Sequence, residues 1–180
     1  MKHIFIKTAV AGLMALGLAS CADDLNISSI DPNTSSAYDP QELLAKQYAT
    51  LAVTGQVGPN GNGDISGDEG EIGFWRLIFN LQELCTDECI WAWQDNEDIP
   101  ALTYIAWSSS STRVNWAWQR LAFNITLFNQ FIYEQTGKMD DDIVAEVRFL
   151  RALHYWEFLD LFHAAPFKVD FNFELAGYKN

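Results

Sequence analysis

Residues 112–162, TRVNWAWQRLAFNITLFNQFIYEQTGKMDDDIVAEVRFLRALHYWEFLDLF, decide the fold. Val114, Trp118, Leu121, Ile125, Phe128 and Ile132 alternate steps of four and three, the spacing of one helix face, while Trp116, Phe123 and Leu127 add a second apolar face. A helix buried on two sides belongs inside a bundle. The Ser108 to Thr112 run supplies its cap, Thr136-Gly137-Lys138 reads as a turn, and Asp140 to Asp142 offer a cap and negative charge to the next helix. That helix carries Ile143, Val147, Leu150, His154, Phe158 and Leu161 on one face, and Pro166 marks its end. Two helices joined by a short turn form an antiparallel hairpin of the size used in helical-repeat arrays. Trp116, Trp118, Trp156 and His154 are expected in its core.

Upstream, Asp39-Pro40 with Glu42 is a capping-box start for a helix whose stripe is Leu44, Tyr48 and Leu51 and which Gly55 ends. Phe74, Leu77, Ile78, Leu81, Leu84 and Cys85 place a further helix over about 74–85. Periodicity thus predicts four helices and no convincing sheet, an all-α class. The chain has 180 residues, 49% of them hydrophobic and 14% aromatic, which is globular usage and excludes collagen, coiled coil and linker.

The first twenty residues read as a lipoprotein signal peptide. Lys2 and Lys7 precede the apolar run Thr8 to Ala19, too short to span a bilayer, and Leu18-Ala19-Ser20-Cys21 is a lipobox, with Cys21 as the lipid-attachment residue. Several acyl chains there would anchor the protein stably to a membrane. Residues 21–38, rich in Asp, Asn and Ser, form a flexible acidic and polar tether, and 39–180 are the helical region. The formal charge is −13, and losing Lys2 and Lys7 with the leader makes it −15. So acidic a surface, with no basic run, argues against nucleic acid and against charge-driven binding to anionic lipid.

Cys85 and Cys89 stand at i, i+4. Free or buried thiols are the reading; a disulfide would need the helix to end between them, and a zinc pair would need ligands such as His154 and His163. The loop Asn60 to Glu71 has oxygen side chains at the calcium-loop positions, but Asn60 stands where Asp opens such loops and Ile65 where the sharp turn needs Gly, so it reads as a solvated surface loop. No nucleophile elbow, P-loop, dinucleotide fingerprint or zinc-protease motif is present, and no cofactor or metal is expected. The stretch from Thr86 to Trp107 is aromatic without helical spacing. Trp91 and Trp93, two apart, would project from one side of extended backbone, and flat indoles beside Asp87, Gln94, Asp95 and Asn96 suit the apolar face and the hydroxyls of a sugar. The alternative is that these tryptophans plug the end of the bundle.

Ala145 to Trp156, followed by Leu159, Phe162 and Pro166, resembles the signature helix of the SusD/RagB family of outer-membrane nutrient-uptake lipoproteins. Leu84-Cys85-Thr86-Asp87-Glu88 is similar to that family's Ser/Thr-Asp-Glu segment, and Trp118, Ile125 and Asn129 match its Trp, Ile and Asn spacing. Departures are Ala122, where the family often has an aromatic, and His163, where it has Gly. The resemblance covers the chain from Cys21 onward but only the N-terminal part of family members, so the chain looks like a fragment. What it implies is a tetratricopeptide-like helical bundle, and apolar second faces of the two long helices left uncovered without the C-terminal part, hence marginal stability or aggregation. It further implies a non-enzymatic protein, held at the outer membrane and facing outward, that captures oligosaccharide for a SusC-like TonB-dependent transporter. Asp87, Trp91, Trp93 and Trp107 are its expected ligand-binding residues. A secreted hydrolase fragment with a hidden carboxylate pair, or a non-binding helical assembly piece, are the alternatives.

Overall fold

The computed structural model describes residues 39–54, 63–67, 70–92, 98–170 and 177–179; the leader, the tether, Cys21, Gly55, Asn60 and Trp93 lie outside them. Five helices run along the described chain: α1 (Pro40–Ala49), α2 (Phe74–Glu83), α3 (Asp98–Thr103), α4 (Thr112–Gln135) and α5 (Asp141–Phe162). Two short antiparallel strands follow, β1 (Ala165–Phe167) and β2 (Gly177–Lys179), with Pro166 opposite Tyr178. The mostly helical class is as expected. The strand pair and α3 are additions: three-residue strands leave no alternation to read, and α3 has six residues with Pro100 in its first turn, where a missing N–H costs nothing.

The α4–α5 hairpin is the centre of the fold. Partners across it step up one helix as they step down the other, from Trp118 edge-on to Phe158 at 4.8 Å, through Asn124 and His154 at 3.0 Å, to the cluster of Phe128, Phe131, Val147 and Leu150. Gly137 makes the connection at φ 79°, with open space around it, so it is the backbone angle that asks for glycine there. Leu44 and Leu51 pack onto the Phe128–Leu150 cluster and bring α1 across the hairpin, but Tyr48 is 42% exposed and donates its hydroxyl to Glu146 of α5 at 2.7 Å. The expected stripe of α1 is corrected at that position.

Half of the buried face of α4 is polar: Arg113, Arg120, Asn124, Asn129 and Gln135 are buried beside Ala117, Leu121, Ile125, Phe128 and Phe131. Arg120, 1% exposed, donates Nε to the Ile72 carbonyl at 2.7 Å and grips Asp64 with both terminal nitrogens, at 2.8 and 2.5 Å. Arg113, equally buried, pairs with Glu71 and lies 3.4 Å from Asp98. Two side chains of the acidic loop are therefore clamped to α4 by guanidinium groups rather than solvated, which corrects the surface-loop expectation. Gly67 completes the clamp: a Cβ there would stand 2.7 Å from the Trp116 ring. Among the described residues no three His, Cys, Asp or Glu side chains converge as metal ligands.

The expected caps are also corrected. Ser111 precedes α4 without a side-chain cap; instead Asp98 of α3 accepts from Thr112 N–H at 3.2 Å and Arg113 N–H at 2.8 Å. A carboxylate from another element serves the two orphan donors better than a short hydroxyl, because its charge also faces the positive end of the helix. Asp140 at the head of α5 makes no side-chain cap either, leaving Asp141 and Asp142 to supply the charge. Asp39 does cap α1, its Oδ1 accepting from Gln41 N–H at 2.8 Å.

His154 is fully buried, with Nδ1 donating to the Leu150 carbonyl at 2.8 Å and Nε2 facing the Asn124 amide, which also donates to Thr50 O at 3.2 Å. Its ring stacks on Phe74 at 4.3 Å, a satisfied core histidine as expected. Trp118 and Trp116 are both half-buried, Trp118 packed against the core, and Trp156 is 58% exposed, against expectation. With Phe149 and Leu159 it forms an exposed apolar face on α5, the uncovered second face that the resemblance implied; on α4, Trp116, Phe123 and Leu127 are half-buried.

Asn129, Arg151 and Tyr155, which carry part of the resemblance, fasten the chain that follows α5. Asn129 donates to Lys168 O at 2.8 Å and accepts from Arg151 at 2.6 Å, while Arg151 also donates to Val169 O. Tyr155 both donates to Lys168 O and accepts from its N–H. These bonds fasten the chain after β1 to both helices. The turn into β1 places His163 at φ 64°, left-handed backbone that disfavours any residue with a Cβ. Replacing His163 with Gly is expected to stabilise the fold by about 0.5–1 kcal/mol, read as a higher denaturant midpoint at unchanged slope.

Candidate functional site

Burial of Phe74, Leu77 and Ile78 fixes the rotation of α2 and turns Trp75, Arg76 and Phe79 outward. Arg76 is held there by its Nη1 donating to Gly70 O at 2.7 Å, with Glu71 Oε1 at 3.9 Å from Nη2. Its guanidinium lies over the Trp91 ring, 5.3 Å from the centroid. Trp91 packs in turn on Leu84, Ile99 and Leu102, with Leu81 and Cys89 beside it. The indole is thus fixed by an apolar cluster and a cation, and only part of it meets solvent.

The turn that leads to Trp91 is built by the Thr86-Asp87-Glu88 segment. Thr86 Oγ1 donates to Glu83 O at 2.8 Å and accepts from Glu88 N–H at 3.2 Å, which stops α2 and leaves Asp87 exposed. Cys85 and Cys89 are free thiols of intermediate burial, Cys85 donating to carbonyls of the preceding turn, as the thiol reading held.

Trp107 reaches the surface by a different device. The Ala106 and Ile105 N–H groups bond back to Ala101 O and Leu102 O, the double bond pattern that ends a helix with a left-handed residue, and here that residue is Ile105 at φ 53°. A β-branched residue in that region is strained, a cost of about 1–2 kcal/mol. The result lifts Tyr104, Ile105 and Trp107 outward, 76%, 67% and 44% exposed. Trp107 lines a small recess with Leu81, Leu102, Ser108, Ser109 and Phe162. Trp91 and Trp107 therefore both lean on α3, and Trp93 lies outside the described residues. Arg76 is the side chain the sequence reading missed: it stands between Trp75 and Leu77, and nothing in that spacing places it over Trp91.

A partly exposed indole with a forked donor beside it suits a hydroxyl-rich ligand: the exposed part of the ring can take apolar C–H groups and the guanidinium can donate to oxygens. Fold and surface together define a mostly helical protein with aromatic side chains carried on the loops beside a helical hairpin. No protein-family model matches the chain. Its sequence is 50% identical to the starch-binding protein SusD of Bacteroides thetaiotaomicron, over 97% of this chain and 33% of that relative. The chain is thus similar to a SusD protein over nearly all its own length and spans about a third of that relative's length. Among the described residues no helix is long and apolar enough to cross a membrane.

Proposed function

We propose that the protein is a cell-surface glycan-binding lipoprotein without catalytic activity, taking an α-glucan or similar oligosaccharide. The observation that carries this is the identity with a protein named for starch binding across 97% of the chain, supported by the stacked Arg76–Trp91 pair. Trp91 offers the exposed part of its ring and Arg76 the donors, with Asp87, Trp93 and Trp107 as further contacts. Cys21 carries the lipid that holds the domain at the outer membrane, residues 21–38 tether it outward, and a SusC-like TonB-dependent transporter receives the sugar. An acidic surface of this kind repels phosphate and leaves a neutral ligand unaffected.

Replacing Trp91 with Ala tests the site. Stacking on an indole contributes about 1–2 kcal/mol, so affinity for maltoheptaose is expected to fall about tenfold or more, with helical content by circular dichroism unchanged. An unaltered affinity would remove Trp91 from the site, and loss of helix would assign it to packing instead.

A further inference from the structure

Resting on the glycan reading of the Arg76–Trp91 face, we propose that buried Arg113 is the positioning residue of that face, joining its two supports through Glu71 on one side and Asp98 on the other. The platform has the Arg76 guanidinium from α2 over the Trp91 ring and an apolar cluster against that ring to which both α2 and α3 contribute. Leu81 and Leu84 at the end of α2 already pack with Ile99 and Leu102 of α3, and Arg113 adds a polar tie to that apolar contact. Arg113 stands at the start of α4 with 1% exposure and touches a carboxylate belonging to each support.

On the first side, Arg113 Nη2 pairs with Glu71 Oε2, while Glu71 Oε1 faces Arg76 Nη2 at 3.9 Å. Glu71 is thereby shared between two arginines, one buried and one on the platform, and Arg76 also holds Gly70 O at 2.7 Å. The carbonyl and the carboxylate come from adjacent residues, so fixing Glu71 fixes both anchors of Arg76. On the second side, Arg113 Nη1 lies 3.4 Å from Asp98 Oδ2, and the same carboxylate accepts from the Thr112 and Arg113 N–H groups. Asp98 is the first residue of α3, whose Ile99 and Leu102 pack against Trp91. A single buried cation thus sets where the ring rests and where the donor over it sits. Glu71 and Asp98 keep 21% and 14% of their side-chain surface, so both pairs are largely shielded from salt.

The inference is tested with the full chain by Glu71→Gln and by Arg113→Lys beside Arg113→Met. The first readout is the Arg76 Nε–Hε resonance, which an indole ring 5.3 Å away shifts by its ring current. The second is affinity for maltoheptaose, and the third is the melting temperature. Glu71→Gln is expected to move the Arg76 resonance toward that of an exposed arginine and to weaken binding about three- to tenfold. Arg113→Lys should lie between wild type and Arg113→Met in both readouts, since lysine keeps the charge but not the fork. If Arg113→Met fails to fold, the other two variants still decide. A lower melting temperature with the Arg76 resonance at its wild-type position in Glu71→Gln would overturn the proposal and leave Arg113 a purely structural cation. Absence of maltoheptaose binding by the wild-type chain would strike the glycan reading, and the resonance would still decide whether Arg113 sets the platform.

Discussion

Arg120→Met is expected to cost about 3 kcal/mol of folding stability, toward the lower end of what breaking a buried ion pair costs. The arginine is 1% exposed and makes three bonds, two to Asp64 and one to the Ile72 carbonyl. Methionine fills similar volume but leaves a carboxylate and a carbonyl without their donor. Asp64 keeps a quarter of its side-chain surface in water, which limits the penalty of the stranded charge. Adding Asp64→Asn should recover part of the loss, because the remaining amide is cheaper to desolvate than a carboxylate. Arg120→Lys should recover less than its charge suggests, since an ammonium cannot reach two oxygens and a carbonyl in one plane. Urea midpoints of the four proteins measure this, and a loss under about 1 kcal/mol for Arg120→Met would mean the clamp is peripheral to the fold.

The second large effect is on acidification. Burial holds His154 down to about pKa 4 from 6.5, with the Leu150 carbonyl opposing the shift and Arg120 adding to it. A histidine that must stay neutral to fold contributes stability that is complete above its unfolded pKa and is lost as pH falls toward the folded one. The window is therefore about pH 6.5 to 4, and the loss approaches roughly 3 kcal/mol at its lower edge. Geometry agrees, for a proton on Nε2 would confront the Asn124 amide that now donates to it. Glu157 works in the other direction. Buried between α2 and α5 under the Gln82 amide, its carboxyl is raised by burial and by Asp160, so it costs stability at neutral pH and regains it on protonation. Stability measured across this window should fall with pH in the wild type and fall less in His154→Gln. An unchanged slope in that variant would assign the acid sensitivity elsewhere.

What the sequence made legible follows from how much each element depends on apolar spacing. Leu121, Ile125 and Phe128 against Val147, Leu150 and Phe158 repeat often enough that the hairpin is visible without its partners. The same counting of apolar residues hid Arg113 and Arg120, which lie seven apart on the buried face of α4, because their burial depends on carboxylates from residues 64, 71 and 98. The Asp98 cap was illegible for the same reason: a hydroxyl run beside the helix looked sufficient, and the stronger acceptor came from fourteen residues away. At the candidate site, Trp91 was legible as a loop aromatic and Arg76 was not, since a cation over a ring is a fact of three dimensions. Trp156 was misread because its helix is apolar on both sides, and spacing alone does not say which side a neighbour covers.

One measurement tests the central claim most directly: calorimetric titration of the lipid-free chain from Ala22 with maltoheptaose, followed by chromatography of the recovered sugar. Saturable one-site binding with the heptamer recovered intact is the predicted result. Shorter products would make the protein a hydrolase, and no heat or saturation at millimolar sugar would contradict glycan capture by this chain.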